Sequence, residues 1–170
     1  MTAPAAKPSD DTPLDASGLV VGVVAARWNH DIVERLQRGA IAAATDCGAG
    51  VIAASAPGAF ELPYAAQVLA QSGQVDAVVV VGAVIRGDTT HYELVSEGCA
   101  SGVMSVQLAT RIPIGFGVAT VENHEQAIER SSDQHNVGRD AALAAIEMAL
   151  LSRQGVATTR SKQVTDDEDE

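Results

Sequence analysis

Lysine is almost absent from this chain of 170 residues. The only lysines are Lys7 and Lys162, and residues 18–154 contain none. A mechanism that needs an activated amine from the protein, such as Schiff-base catalysis, is therefore close to excluded. Nucleic acid is also an unsuitable partner, because a binding face needs clustered Lys and Arg and the formal net charge here is −11.

Aromatic residues and long apolar runs are scarce as well. Only 3% of the residues are aromatic, although 46% are hydrophobic, so the apolar content is mostly alanine and valine. Small side chains suit close packing of helices on a sheet and broad subunit interfaces. The longest apolar stretch, residues 77–85, is far too short to span a bilayer, and we expect no membrane association.

The cysteines and the chain ends complete this picture. Cys47 and Cys99 lack metal-ligand spacing, and we expect both to be small buried thiols in a reduced cytosol. Residues 1–17 carry neither the basic nor the apolar region of a secretory signal, which predicts a disordered N-terminal tail on a cytoplasmic protein. Residues 155–170 predict a disordered acidic tail, with five negative charges in 166–170. One domain is expected over residues 18–154.

Buried-strand runs alternate with segments of helical periodicity along that domain. Because strands that alternate with helices form parallel sheets, the order predicts right-handed crossovers with helices on both faces. Strands are predicted over residues 19–25, 51–56, 77–85 and 112–119, and helices over 31–47, 62–72, 94–109, 125–130 and 139–153.

Residues 82–91 form the most informative segment, a strand end that opens into a polar loop before a helix. Ligands of open α/β folds bind beyond the carboxyl ends of the strands, and helix N-termini attract anions. Histidine is the side chain best suited to move protons near neutral pH. We therefore expect a phosphate-bearing substrate beside His91, which would act as a general acid or base.

The other loops at the carboxyl ends of the strands contain residues that each have a functional and a structural interpretation. Trp28 and Phe60 could stack on a flat heterocycle or simply cover the core. Glu61 could accept hydrogen bonds from sugar hydroxyls or complement a helix dipole in a first turn. Arg130 could clamp a phosphate or be an ordinary surface charge. Surface positions are the default for His30, His124 and His135, and no metal-ligand spacing occurs.

Three segments together resemble the lumazine synthase family, which carries out the penultimate step of riboflavin synthesis. They are Gly58-Ala-Phe-Glu-Leu-Pro63, Val84-Ile-Arg-Gly-Asp-Thr-Thr-His91 and Glu125-Gln-Ala-Ile-Glu-Arg130, and the resemblance runs over residues 19–153. It implies a flavodoxin-like three-layer α/β/α fold with a four-stranded parallel sheet. It also implies a reaction without cofactor or metal, in which 5-amino-6-(D-ribitylamino)uracil and 3,4-dihydroxy-2-butanone 4-phosphate give 6,7-dimethyl-8-ribityllumazine, phosphate and water.

The resemblance assigns roles to individual positions. It implies a pyrimidine and ribityl site, a phosphate site and a proton-transfer residue, with part of each site supplied by a neighbouring subunit. The pyrimidine and ribityl site would comprise Trp28, Ala59, Phe60, Glu61, Ala83, Val84, Ile85 and the neighbour's Phe116; the phosphate site would comprise Asp88, Thr89 and the neighbour's Arg130; and His91 would transfer protons.

Two positions depart from the family pattern. The family usually has lysine before the glycine of an Asn-Lys-Gly sequence, whereas this chain has Val137 before Gly138. Arg139 is close enough in sequence to replace the lost contact, and we expect it to do so. Asp88 stands where a smaller or neutral residue is commoner, so we expect its side chain to point away from phosphate and its backbone N–H to bind.

A site shared between subunits requires an oligomer. The resemblance implies a homopentamer, or a shell of sixty chains from twelve pentamers, with riboflavin synthase as a candidate protein partner. The short link over residues 131–137 favours the shell, although it lacks the glycines usual in shell-forming members. The alternative function is a catalytically weakened flavin- or pterin-binding oligomer or scaffold. A receiver domain or a flavodoxin-type electron carrier would also fit the fold class. This chain, however, lacks the acidic metal pocket of the former and the phosphate-binding loop of the latter after its first strand.

Overall fold

The structure is a computed structural model that describes residues 14–154. Its elements alternate as the sequence predicts, with one additional 3-10 turn at Ala59–Glu61. The strands are β1 (Val20–Ala26), β2 (Gly50–Ala56), β3 (Ala77–Ile85) and β4 (Ile114–Val121), and the helices are α1 (His30–Asp46), α2 (Leu62–Gln71), α3 (His91–Thr110), α4 (His124–Arg130) and α5 (Val137–Gln154).

The four strands form one parallel sheet in the order β2-β1-β3-β4. Because β3 is central and covered on both faces, it reads as a continuous valine-rich run rather than an alternating one. Val79 and Val81 belong to the core beneath α1 and α5, whereas Val78 and Val80 belong to the core that includes α2 and α3 residues. The predicted α/β class, with a four-stranded sheet between two helical layers, is therefore confirmed.

Glycines allow α5 to pack closely against the sheet and against α1. A Cβ at Gly115 of β4 would overlap the Ala141 carbonyl of α5, and a Cβ at Gly138 would overlap the Leu36 carbonyl of α1. The backbone of α5 therefore touches both β4 and α1. This is the close helix–sheet packing that we expect from a composition rich in small side chains.

The folded part begins earlier than predicted. Ala16 is fully buried, its N–H donates to the Cys47 carbonyl at 2.7 Å, and Leu14 packs against the same core. The predicted disorder over residues 1–17 is therefore wrong for residues 14–17, whose apolar side chains are used in packing. Residues 1–13 and the predicted acidic tail over 155–170 lie outside the described residues.

Several predicted boundaries shift by one to three residues. The fourth strand begins at Ile114 rather than at residue 112. Pro113 has no N–H to donate to the sheet, and its carbonyl accepts from Val78 N at 2.9 Å. Helix α3 begins at His91 rather than residue 94, and α5 begins at Val137 rather than residue 139. The first turns of these helices contain polar residues that hide the apolar periodicity.

The thiols differ in their surroundings. Cys99 is fully buried, and burial raises its pKa to about 11. The expected burial is therefore confirmed for Cys99, but Cys47 is only half-buried because it follows the end of α1. Desolvation, and after it the neighbouring Asp46 carboxylate, raise the pKa of Cys47 as well. Over residues 14–154, no helix is long and apolar enough to cross a membrane, and no group of His, Cys, Asp or Glu side chains could hold a metal ion.

We predict that Gly115→Ala lowers the free energy of unfolding by about 1–3 kcal/mol, because the new methyl group overpacks the α5–β4 contact. The matched control is Gly50→Ala, since a Cβ there would meet atoms only at ordinary van der Waals distances of 3.6 Å or more. Denaturant unfolding of both variants measures the difference. Equal stability of the two variants would contradict the close packing of α5.

Candidate functional site

A cavity of about 700 Å³ lies at the carboxyl ends of β1, β2 and β3. Its walls come from the loops after these strands and from the first turns of α3. The lining residues are Trp28, Asn29, Gly58, Ala59, Phe60, Glu61, Ala83, Val84, Ile85, His91, Leu94 and Val95. Eight of the residues predicted for the site therefore meet in one cavity.

The two aromatic side chains of the cavity are not core residues. Trp28 is 74% exposed and Phe60 is 61% exposed. Glycines make room beside them: a Cβ at Gly58 would lie 3.2 Å from Trp28 Cδ1, and a Cβ at Gly98 would lie 2.8 Å from Phe60 Cε2. The sequence left open whether these rings cover the core or stack on a ligand. Their exposure excludes the first alternative and leaves both rings available to a ligand.

Glu61 ends the 3-10 turn and precedes α2. Its side chain makes no capping hydrogen bond to that helix, and a Cβ at Gly58 would lie 3.1 Å from its Oε2. Within residues 14–154 the carboxylate has no hydrogen-bond or ion-pair partner. It can therefore accept hydrogen bonds from a molecule in the cavity.

The end of β3 presents an open backbone edge to the cavity. The register with β1 ends at Val81, whereas the register with β4 continues to Ile85. Val78 N and Arg86 N bond toward β4, so the odd-numbered residues between them direct their backbone groups toward the β1 side. The N–H and carbonyl of Ile85 therefore face the cavity beyond the end of β1, where a flat polar ring could pair with them as a strand does.

Asn29 is a site residue that the sequence analysis did not single out. It adopts a left-handed conformation with φ 57°, and its Nδ2 donates to the Ala83 carbonyl at 2.9 Å. This bond ties the loop of Trp28 to the open end of β3. The available signal was its residue type, because asparagine is the commonest residue other than glycine to tolerate this conformation. Leu94 and Val95 were missed because α3 begins earlier than predicted.

The polar loop over residues 86–90 is exposed, and Asp88 and Thr89 do not line the cavity. Arg86 is fully engaged: it pairs with Glu93, donates from Nε to Glu122 Oε2 at 2.7 Å, and lies 4.1 Å from the centre of the Tyr92 ring. Its hydrogen bond lowers the pKa of Glu93, and the two carboxylates raise the pKa of Arg86. The one arginine of this loop is thus neutralised by carboxylates.

Phe116 and Arg130 do not reach this cavity within one chain. Phe116 is 40% exposed on the edge strand β4. Arg130 lines a separate cavity of about 430 Å³ together with Val137 and residues 118–121. Val137, where the family has lysine, therefore lies beside the arginine predicted to bind phosphate.

The expectation that Arg139 replaces the missing lysine is wrong. Its Nη1 lies 3.9 Å from Asp46 Oδ2 of α1, and it lines a different cavity from the one that Val137 and Arg130 share. The reason is helix geometry: positions two residues apart on an α-helix point about 200° apart. The arginine therefore projects away from Arg130.

We predict that Asn29→Ala destabilises the fold more than Asn29→Gly. Both variants lose the bond to Ala83, worth about 1 kcal/mol, but alanine also carries the left-handed strain of about 1–2 kcal/mol. Unfolding followed by the fluorescence of Trp28, the only tryptophan, measures both, with His30→Ala as the neighbouring control. Wild-type stability in Asn29→Ala would show that this bond does not hold the loop.

We also predict a pH dependence at the Arg86–Glu93 pair. Because the folded-state pKa of Glu93 is lowered from 4.5, its contribution to stability is present above that pH and is lost as the pH falls through the folded value. The difference in melting temperature between the wild-type protein and Glu93→Gln should therefore shrink from pH 7 to pH 3. A difference that stays constant over this range would rule out the ion pair as its source.

Comparison with known proteins agrees with this architecture. The family model described as 6,7-dimethyl-8-ribityllumazine synthase matches residues 18–153, which include every strand and the whole cavity. The match covers most of the chain, and the three-layer fold with its four-stranded parallel sheet is consistent with that family. The chain therefore belongs to the 6,7-dimethyl-8-ribityllumazine synthase family, the transferases that form lumazine in riboflavin biosynthesis.

Proposed function

We propose that this chain condenses 5-amino-6-(D-ribitylamino)uracil with 3,4-dihydroxy-2-butanone 4-phosphate to give 6,7-dimethyl-8-ribityllumazine, phosphate and water. The observation that carries the proposal is the single cavity in which uncovered aromatic rings, a free carboxylate, an open strand edge and a histidine meet. Membership of the family supports the reaction in general, and the residue roles below are our proposals.

The pyrimidine ring is held between the aromatic wall and the strand edge. Trp28 stacks on the ring, and Phe60 with Ala59 closes the other side. Ile85 pairs its backbone N–H and carbonyl with the ring's polar edge, as a neighbouring strand would, while Ala83 and Val84 border it. The free carboxylate of Glu61 accepts hydrogen bonds from the ribityl hydroxyls, since no group of residues 14–154 competes for it.

The phosphate of the second substrate lies at the loop before α3. Thr89 offers its hydroxyl and backbone, and Asp88 offers its backbone N–H while its side chain points away. Carboxylates neutralise Arg86, and among residues 14–154 no arginine or lysine lines the cavity. A phosphate dianion therefore needs a cation from beyond this part of the chain, which we assign to Arg130 of an adjacent subunit, with Phe116 completing the ring site.

Such sharing makes a homo-oligomer part of the function, and we propose a pentamer that closes into a shell of twelve pentamers. Exposed apolar side chains supply the contact surface a stable assembly needs. They lie on α2 and α3, at Tyr64, Val68, Leu94, Met104 and Leu108. We propose that the assembly works in the cytoplasm and that riboflavin synthase uses its product.

The chemistry requires positioning and proton transfer rather than covalent catalysis. Residues 18–154 contain no lysine, but the pyrimidine substrate brings its own amine, so the imine forms between the two substrates. His91, the first residue of α3, transfers the protons. Its imidazole donates a proton to the phosphate of the second substrate as that phosphate leaves.

We predict that His91→Ala lowers kcat by roughly 10²-fold or more and leaves measurable activity, because a general acid or base contributes about 10²–10⁴ while positioning is retained. The matched control is His135→Ala, which removes another exposed histidine outside the cavity. Formation of fluorescent lumazine from the two substrates measures both rates. A wild-type rate in His91→Ala would remove His91 from this role.

The same assay on the wild-type chain separates the proposed reaction from its alternative. Lumazine formation supports the enzyme. An assembled, folded protein that binds the pyrimidine or riboflavin but forms no lumazine would instead indicate a binding or scaffold protein. The observation that favours this alternative is Val137, which lines the same cavity as Arg130 and stands where the family usually has a lysine.

A further inference from the structure

A second large cavity, of about 710 Å³, lies between α1 and the segment that leads into α5. It shares no lining residue with the cavity at the strand ends. Arg35 and Arg38 of α1 and Arg139 of α5 line it, together with Ser131 and Ser132. The proposed reaction uses none of these side chains.

The cavity concentrates positive charge in an acidic protein. Three of the chain's nine arginines line it, although the net charge of the chain is −11. Within the described part of the chain, Arg35 and Arg38 have no ion-pair or side-chain hydrogen-bond partner. Arg139 has only Asp46 at 3.9 Å, and Asp133 is the one carboxylate among the lining residues. Guanidinium groups that face a common space without carboxylate partners favour an anionic occupant.

A buried amide fixes the frame that carries these arginines. Asn136 is buried, and its Nδ2 donates to the carbonyl of Arg35 at 2.9 Å and to the carbonyl of Ser131 at 3.4 Å. Its Oδ1 accepts from the backbone N–H of Arg139 at 3.0 Å. One side chain therefore ties α1, the end of α4 and the start of α5 together, so the charged groups project from a preorganised backbone.

The chain itself contains a complementary anion. Residues 166–170 read Asp-Asp-Glu-Asp-Glu, five consecutive carboxylates. Helix α5 begins at the cavity and ends at Gln154, about 27 Å along its axis at 1.5 Å per residue. Residues 155–165 can span roughly 35 Å when extended, which is enough to bring the acidic segment back along α5.

We propose that the cavity of Arg35, Arg38 and Arg139 is the docking site for the acidic segment 166–170 of the same chain. The segment is repelled by the acidic surface of the chain and attracted to the three arginines of this cavity. The tether keeps the local concentration of the segment in the millimolar range, so modest ion pairs suffice. Binding weakens with salt as surface charges are screened.

Arginine modification by phenylglyoxal, mapped by mass spectrometry, tests this directly. The full chain is compared with a chain that ends at Thr165 and with a full-length chain whose residues 166–170 are changed to the matching amides. At low salt we expect Arg35 and Arg38 to react roughly three- to ten-fold more slowly in the full chain than in the other two. Arg111, at the end of α3 and outside the cavity, is the internal control and should not change.

Addition of 1 M salt should bring the full chain to the rates of the other two. Equal rates for Arg35 and Arg38 in all three chains at low salt would overturn the proposal. Protection of the shortened chain by added pyrophosphate, without any effect of residues 166–170, would overturn it too and show a site for a free anion. An equal slowing of Arg111 would reveal a general charge effect and likewise contradict docking.

Discussion

The structure depends on β3 being covered on both faces and longer than its neighbour β1. Its valines alternate between two cores, so the same strand holds both helical layers to the sheet. Its pairing with β1 ends at Val81 while its pairing with β4 continues to Ile85. Because β3 is longer than β1, its last residues have no strand partner on the β1 side and form an exposed hydrogen-bonding edge. The cavity, the loop of Trp28 and the start of α3 are all arranged around that edge.

The two helical layers differ in what they expose. On one side, glycines bring the backbone of α5 against β4 and α1. On the other side, α2 and α3 carry five of the exposed large apolar side chains, compared with two on α5. We propose that the surface of α2 and α3 joins one subunit to the next.

The fold class was predictable from the sequence because the alternation of valine-rich strands with periodic helices has one common solution. The strand run over residues 77–85 was predicted with the bounds that β3 has in the structure. Helix starts were less predictable, since the first turns of α3 and α5 contain polar residues. Burial of Ala16 was missed because the composition around it resembles that of a tail.

The cavity was predictable from the resemblance for the residues that line it in one chain. For Asn29 the only signal was a residue type that tolerates a left-handed conformation, because its importance comes from a bond to a carbonyl 54 residues away. The error on Arg139 has a different source: proximity in sequence says nothing about which face of a helix a side chain occupies. Phe116 and Arg130 lie outside the cavity of their own chain, so their proposed role depends on a neighbour.

We propose that each active site is divided between two subunits, and complementation between inactive variants is the decisive experiment. His91→Ala removes the proposed proton-transfer residue and Arg130→Ala removes the proposed cation, and each variant alone should be strongly impaired. Co-assembled in equal amounts, they should regain roughly a quarter of the wild-type sites, because some interfaces pair an intact His91 with an intact Arg130. If co-assembled oligomers show no more lumazine synthesis than the two variants kept apart, the site belongs to a single chain and is not shared between subunits.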